Sequence, residues 1–514
     1  MNGAESLVKT LLGAGVDHCF ANPGTSEMHF VAALDGAAEM RSVLVLQENV
    51  ATGAADGFWR MAGRPAATLL HLGPGLANGL SNLHNARKAH SGVVNIVGEH
   101  AIPHIALDAP LTSDIEGIAR PVSEWVRTSR SAADVGRDAA EAVAAASGAP
   151  AKVATLILPG DTAWDSGGVV AAPISPAAPK EISGAAIDAA AAALRQPGAL
   201  LLLGPGALDE ASLVSAGRIA AATGCALLTE WSNARLERGA GRVSVGRVPY
   251  PVDKALAVLA PYSRIVLAGA RAPVAFFAYP DKPGVLTAEG TEFATLGGPG
   301  DDLPAALKAL AEALGAGRAA PFGVAEAMRP AIPQGPATAE SIAAVLGAVL
   351  PEGAVVVDES VTVGRNFFGA TAGAPPHSWL NNRGGSIGYG MPLAVGAAMG
   401  APGRKVVALV GDGSAMYTPQ ALWTMAREGL DVTVLIFANR DYAILKGELT
   451  NVGVANAGPR AMSMLTLDQP VLEWTALARG MGVEAEKVED APSLAAALKA
   501  GLDAEGPYLI EVMI

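Results

Sequence analysis

Gly411-Asp412-Gly413-Ser414 follows one apolar run, Lys405 to Val410, and precedes a helical stretch, Gln420 to Glu428. A second apolar run, Val432 to Phe437, leads to Asn439. Asp412 and Asn439 are 27 residues apart, and a strand–helix–strand unit would carry both to the same edge of a sheet. A carboxylate, an amide oxygen and the backbone carbonyl of Asp441 are hard oxygen donors of the kind Mg²⁺ shares with phosphate oxygens. Gly411 and Gly413 leave room for the backbone to approach a diphosphate, and N–H groups at a helix start suit anionic oxygens. The triplet Gly-Asp-Gly alone would equally serve a plain strand-to-helix turn. The asparagine at this spacing is what points to a metal–diphosphate site. Upstream, the glycine-dense run Asn381 to Pro392 reads either as a flexible turn or as a loop packed closely on a ligand.

The N-terminal part offers titratable groups at comparable places. Glu48 follows the strand-like Val43 to Leu46 and precedes a helix, Val50 to Met61, that carries Asp56 and Arg60. A carboxylate in a first helical turn is by itself only a match to the helix dipole. Asn22-Pro23-Gly24-Thr25-Ser26-Glu27 follows Val16 to Phe20 and has the chemistry of a turn plus a helix cap. His71 ends the run Ala66 to Leu70, ahead of Gly73-Pro74-Gly75, and an imidazole there can exchange protons near neutral pH. His84 and His90 fall on or near the helix that follows, and Asp358-Glu359-Ser360 follow Ala354 to Val357. Those three read either as a pocket wall or as a polar loop and cap.

Each of these motifs stands just after a predicted strand, so the elements that position them are βα units. Short β-branched runs alternate with helical stretches throughout, which predicts an α/β fold of three doubly wound domains with parallel sheets. Residues 1–170, 181–318 and 338–514 form the three blocks, separated by Pro-rich passages at Ala171 to Pro179 and Pro321 to Pro336. The net charge of −13 argues against a nucleic-acid or anionic-membrane surface. No apolar stretch reaches the roughly 18 residues needed to cross a bilayer. Two cysteines, Cys19 and Cys225, are too few for a disulfide framework or a metal cluster, and the chain reads as cytoplasmic.

The Gly-Asp-Gly-Ser motif with its asparagine resembles the cofactor motif of thiamine diphosphate (ThDP)-dependent enzymes. The whole chain resembles the group of acetolactate synthases, benzoylformate decarboxylases and pyruvate oxidases. That resemblance implies a pyrimidine-binding first domain, a middle domain and a diphosphate-binding last domain. It makes Asp412, Asn439 and Asp441 ligands of Mg²⁺, and Gly411, Gly413, Ser414 and Tyr442 contacts of the cofactor. Ile387 would wedge the cofactor into a bent shape, and the Gly385 carbonyl would accept a hydrogen bond from its 4′-amino group. Glu48 would meet N1′ of the aminopyrimidine, His71 would relay protons, and Thr25 would line the substrate pocket.

The resemblance further implies a 2-oxo acid as substrate and a homodimer as the minimal unit, with a homotetramer common in the group. The chain departs from the decarboxylase pattern where a second histidine would stand. Ala278 or Tyr279 takes that place, so aldehyde release is the alternative, and ligation of the fragment left by CO₂ loss to a second carbonyl is the leading expectation. Gly269-Ala270-Arg271 only faintly resembles part of a flavin site, and FAD is not expected.

Overall fold

The computed structural model describes all 514 residues and contains three sheets wrapped by helices. The first sheet has six parallel strands in the spatial order Arg41–Leu44, His18–Ala21, Ala66–Leu70, Val93–Glu99, Val153–Pro159 and Trp125–Thr128. The second has five: Gly246–Arg247, Ala226–Thr229, Ala199–Leu203, Arg264–Ala268 and Glu292–Gly297. The third has seven, in the order Glu484–Val488, Tyr508–Met513, Val432–Ala438, Val406–Gly411, Val355–Glu359, His377–Asn381 and Leu236–Arg238. The central strands are buried and mostly apolar because helices cover both faces; every residue of Val153–Pro159 and of Val432–Ala438 is buried.

Leu236–Arg238 belongs by chain order to the middle block, yet it pairs antiparallel with His377–Asn381 and closes the edge of the third sheet. The parallel registers align Glu359 with Val410 and Gly411 with Phe437. Four loops, after Glu359, Asn381, Gly411 and Ala438, therefore leave one sheet edge side by side. In the first sheet Ala21 is level with Leu44 and Leu69, which groups the loops that carry Thr25, Glu48 and His71.

Between the first and third sheets, the helix Glu48–Ala62 crosses the helix Gly390–Gly400 with almost no side chain between them. A Cβ on Gly57 would overlap the Leu393 carbonyl, and one on Gly396 would overlap the Ala54 carbonyl. One apolar core runs through this crossing, holding Phe58 and Leu70 of the first sheet layer with Leu393 and Val410 of the third. The buried Arg60 pairs with Asp56 at 2.6 Å and donates to the carbonyls of Asn381 (2.6 Å) and Ala234 (3.1 Å), which ties three segments to one guanidinium.

Candidate active site

The C-terminal edge is built on Asp412, the first residue of a short helix, Asp412–Ala415, that opens directly from the end of a buried strand. Its Oδ1 accepts from the Gly413 N–H at 2.8 Å and its Oδ2 from the Arg440 N–H at 2.7 Å. Burial raises the Asp412 carboxyl to about 6 against those hydrogen bonds, and the nearby Asp441 adds to the rise. Asn439 turns its amide oxygen back to the Asp441 N–H at 3.0 Å. Lys446 reaches Asp441 Oδ2 at 2.6 Å, while Oδ1 is buried with no partner. Two close carboxylates, an orphaned buried oxygen and an amide oxygen are a donor set that a hard divalent cation fits. Ser414 is buried beside them, and the Tyr442 ring fills the space above Gly413, where a Cβ would come within 2.5 Å of Cε1.

The glycine-dense loop is held from three directions. Asn382 Oδ1 accepts from the N–H groups of Gly384 and Gly385, both at 2.8 Å, and its amide donates to the Ser386 carbonyl. Asn85 bonds Ser386 twice, through N–H to Oδ1 (3.2 Å) and from Nδ2 to the carbonyl (2.9 Å), and His84 Nε2 lies 3.0 Å from the Gly384 carbonyl. Glu359, buried beneath, accepts from three successive N–H groups, Gly388 (2.5 Å), Tyr389 (3.4 Å) and Gly390 (2.6 Å). Gly385 and Gly388 have φ of +86° and +85°, which only glycine adopts without strain. The Gly385 carbonyl takes no hydrogen bond within the chain, and Ile387 stands half-buried between the two glycines.

At the N-terminal edge the helix Glu48–Ala62 starts at Glu48 itself, two residues earlier than its apolar pattern suggests. Gln47 caps it by accepting from the N–H groups of Asn49 and Val50. Glu48 is buried and accepts from Asn78 Nδ2 at 3.1 Å. His71 places Nδ1 2.9 Å from Glu27 Oε2, and Ser26 Oγ lies 3.1 Å from the same nitrogen. Glu27 is fully buried and also accepts from the Gly24 N–H and Ser26 Oγ. A carboxylate on Nδ1 fixes the proton there and leaves Nε2 as the free nitrogen. Thr25 is exposed on the same turn.

Non-glycine residues with positive φ cluster at these sites. Leu72 (+48°) follows His71, Arg440 (+55°) follows Asn439, and Val361 (+50°) follows Ser360. A β-branched or bulky residue tolerates this conformation only where its surroundings impose it.

Three parts of the site carry no local signature. Glu359 is recognisable only as an acid after a strand, Glu27 only as a helix-cap acid, and Asn85 sits mid-helix with no motif around it. His84, with little to commend it from sequence, holds the loop by a backbone carbonyl. His90 ends its helix at φ +55°, where burial lowers its pKa and the charge of Arg383 on the glycine-dense loop adds to the fall.

Residues 1–117 match the family described as thiamine pyrophosphate enzyme, N-terminal TPP binding domain, and residues 363–512 match its C-terminal TPP binding domain. A Mycobacterium tuberculosis protein with the provisional name acetolactate synthase large subunit IlvX is 51% identical over all of this chain and 99% of its own length. The chain belongs to the thiamine pyrophosphate enzyme family.

Apart from Glu359, the residues of both edges described above lie inside the two matched segments of this ThDP enzyme. Benzoylformate decarboxylase of Pseudomonas aeruginosa is 30% identical to it, over 97% of this chain and 96% of the relative. The structure titled 4-hydroxybenzoylformate decarboxylase from Rhodococcus jostii RHA1 matches with a TM-score of 0.87 over 100% of this chain and 99% of that one. Its 24% identity makes this a likeness of fold.

Proposed function

We propose that this ThDP enzyme decarboxylates a 2-oxo acid and joins the remaining acyl fragment to a second carbonyl, with Mg²⁺ anchoring the cofactor. The observation that carries the cofactor assignment is the C-terminal edge: Asp412, the orphaned Asp441 Oδ1 and Asn439 form a hard-oxygen cluster beside the loop of Gly385 and Ile387. When bound, ThDP supplies the electron sink for loss of CO₂. Asp412, Asn439 and Asp441 would hold the cation. Gly411, Gly413, Ser414 and Tyr442 would receive the diphosphate end, Ile387 would pack against the cofactor, and the Gly385 carbonyl, free within the chain, would accept its amino group. Glu48 holds a proton at the aminopyrimidine ring. His71, oriented by Glu27, moves protons at the substrate end, where Thr25 lines the pocket.

Glu48 and Asp412 of one active site come from two chains in this reading, so the working unit is a homodimer, and a homotetramer doubles it. Exposed apolar side chains flank the site residues on both edges: Met28 beside Glu27, Leu46 beside Glu48, and Met416 and Tyr417 after Ser414. Apolar surface concentrated at a polar site is what a partner subunit would cover.

Carboligation is favoured over protonation because no histidine stands at the second histidine's place, where the segment reads Phe276-Phe277-Ala278-Tyr279. Aldehyde release is the second reading, and the His71–Glu27 pair at 2.9 Å, which could deliver a proton, favours it. The test is a panel of 2-oxo acids incubated with ThDP and Mg²⁺, with CO₂ and carbon products measured. A hydroxyketone or 2-hydroxy-3-oxo acid product supports ligation, aldehyde alone supports the second reading, and no CO₂ from any acid overturns both.

A further inference from the structure

The middle domain sends the segment Ala272 to Tyr279 across the glycine-dense loop of the last domain. The Phe276 ring packs directly on Gly385: a Cβ on that glycine would come 2.6 Å from Phe276 Cζ. Phe276 is in turn the centre of an aromatic cluster. Its ring centroid lies 4.7 Å from that of Phe277 (interplanar angle 76°), 5.3 Å from Trp231 (88°) and 5.5 Å from Tyr250 (52°). Trp231 and Tyr250 pack on each other at 5.7 Å. Aromatic residues make up only 5% of this chain, so four of them gathered around one loop is a local concentration that composition does not explain.

The cluster is also left open. Phe276 is 39% exposed, Phe277 54% and Val274 63%. A cluster made only to stabilise the domain would be turned inwards, since burying each ring is favourable. This one sets the Phe276 ring on the loop whose Gly385 carbonyl and Ile387 are assigned to the cofactor, and leaves Phe277, packed on Phe276, open to solvent.

We propose that Phe276 and Phe277, braced by Trp231 and Tyr250, form the wall that receives the side chain of the 2-oxo acid, and that the enzyme prefers an aromatic or bulky apolar side chain to a methyl group. The inference rests on the ThDP reading of the same site. Edge-to-face and offset contacts with an aryl group would extend the T-shaped packing already present in the cluster. A methyl group leaves both exposed rings in water. Phe276 and Phe277 are specificity-determining residues in this account, and Phe277, which does not touch Gly385, is the one to vary.

The experiment compares benzoylformate, phenylpyruvate, 2-oxo-4-methylpentanoate and pyruvate as substrates for the complete enzyme with ThDP and Mg²⁺. The wild type is expected to favour the aryl and branched acids over pyruvate by about ten-fold or more in kcat/KM. Phe277→Ala is expected to reduce that ratio at least several-fold, mainly through KM, and Phe277→Leu to restore most of the preference for the branched acid. A wild type that prefers pyruvate, or a ratio unchanged in Phe277→Ala, overturns the wall while leaving the ThDP reading intact. No CO₂ from any of the four acids overturns the reading on which it rests. The wild-type series decides the matter even if the variants do not fold.

Discussion

Glu359 is a buried carboxylate whose charge is answered only by backbone: three N–H groups from Gly388, Tyr389 and Gly390 converge on it. Burial nevertheless pushes its carboxyl up to about 7, with those N–H groups pulling the other way and Asp358 adding to the rise. Because the folded value lies above the unfolded one, the fold binds the proton more tightly. Glu359's contribution to stability is full below pH about 4.5, declines as the pH rises to about 7, and is flat beyond. Gln at this position cannot ionise. The stability of the wild type relative to Glu359→Gln should therefore fall between pH 5 and 8, by on the order of 3 kcal/mol. Denaturation of the two apo proteins across that range would show it, and a pH-independent difference would count against the assignment. Glu48 makes a separate prediction at the same scale. Glu48→Gln should lower CO₂ release by about 10²-fold or more while leaving the thermal midpoint near that of the wild type. Unchanged turnover would remove Glu48 from the machinery.

Two helices rather than a loop hold the N-terminal and C-terminal TPP-binding segments of one chain together. At the crossing of Glu48–Ala62 with Gly390–Gly400, backbone meets backbone, and Gly57 and Gly396 each occupy a place where a Cβ would overlap a carbonyl oxygen. The same two helices start at Glu48 and at the N–H group of Gly390 that Glu359 holds. The spacing between them thus sets where both edges stand. Gly396→Val should force the helices apart and cost about 3 kcal/mol. Calorimetry would register a lower thermal midpoint, and a midpoint equal to the wild type would mean that the crossing relaxes freely. The helix from Val50 was legible in the sequence, whereas Gly390–Gly400, apolar and buried on nearly every side, was not. Nor was their pairing, because glycines that permit contact look in sequence like glycines that merely end turns.

For the whole molecule the proposed dimer makes a quantitative prediction. Glu48→Gln and Asp412→Asn homodimers should each be nearly inactive, since each damages every site. Refolding or reassembling an equimolar mixture should restore about a quarter of the wild-type activity, because half the dimers are mixed and each mixed dimer keeps one intact site. An inactive mixture in which mixed dimers are shown to form would place both residues in the same chain's site and end the shared-site reading.

Runs such as Val432 to Phe437, β-branched and apolar but for Thr433, announced central parallel strands by themselves, and the 27-residue interval from Asp412 to Asn439 is the length of one strand–helix–strand unit. Those signals are local: they depend on side-chain periodicity and on chain geometry over a few tens of residues. What the tertiary structure decided is which distant groups meet. Glu27 reaches His71 across 44 residues, Glu359 collects N–H groups 29 to 31 residues ahead, and Phe276 lies on Gly385 from another domain. Those meetings follow from strand order and from helices packing on one another. Neither leaves a period in the sequence, because a side chain's neighbour across a sheet edge is set by the order in which strands pair and not by the residues on either side of it.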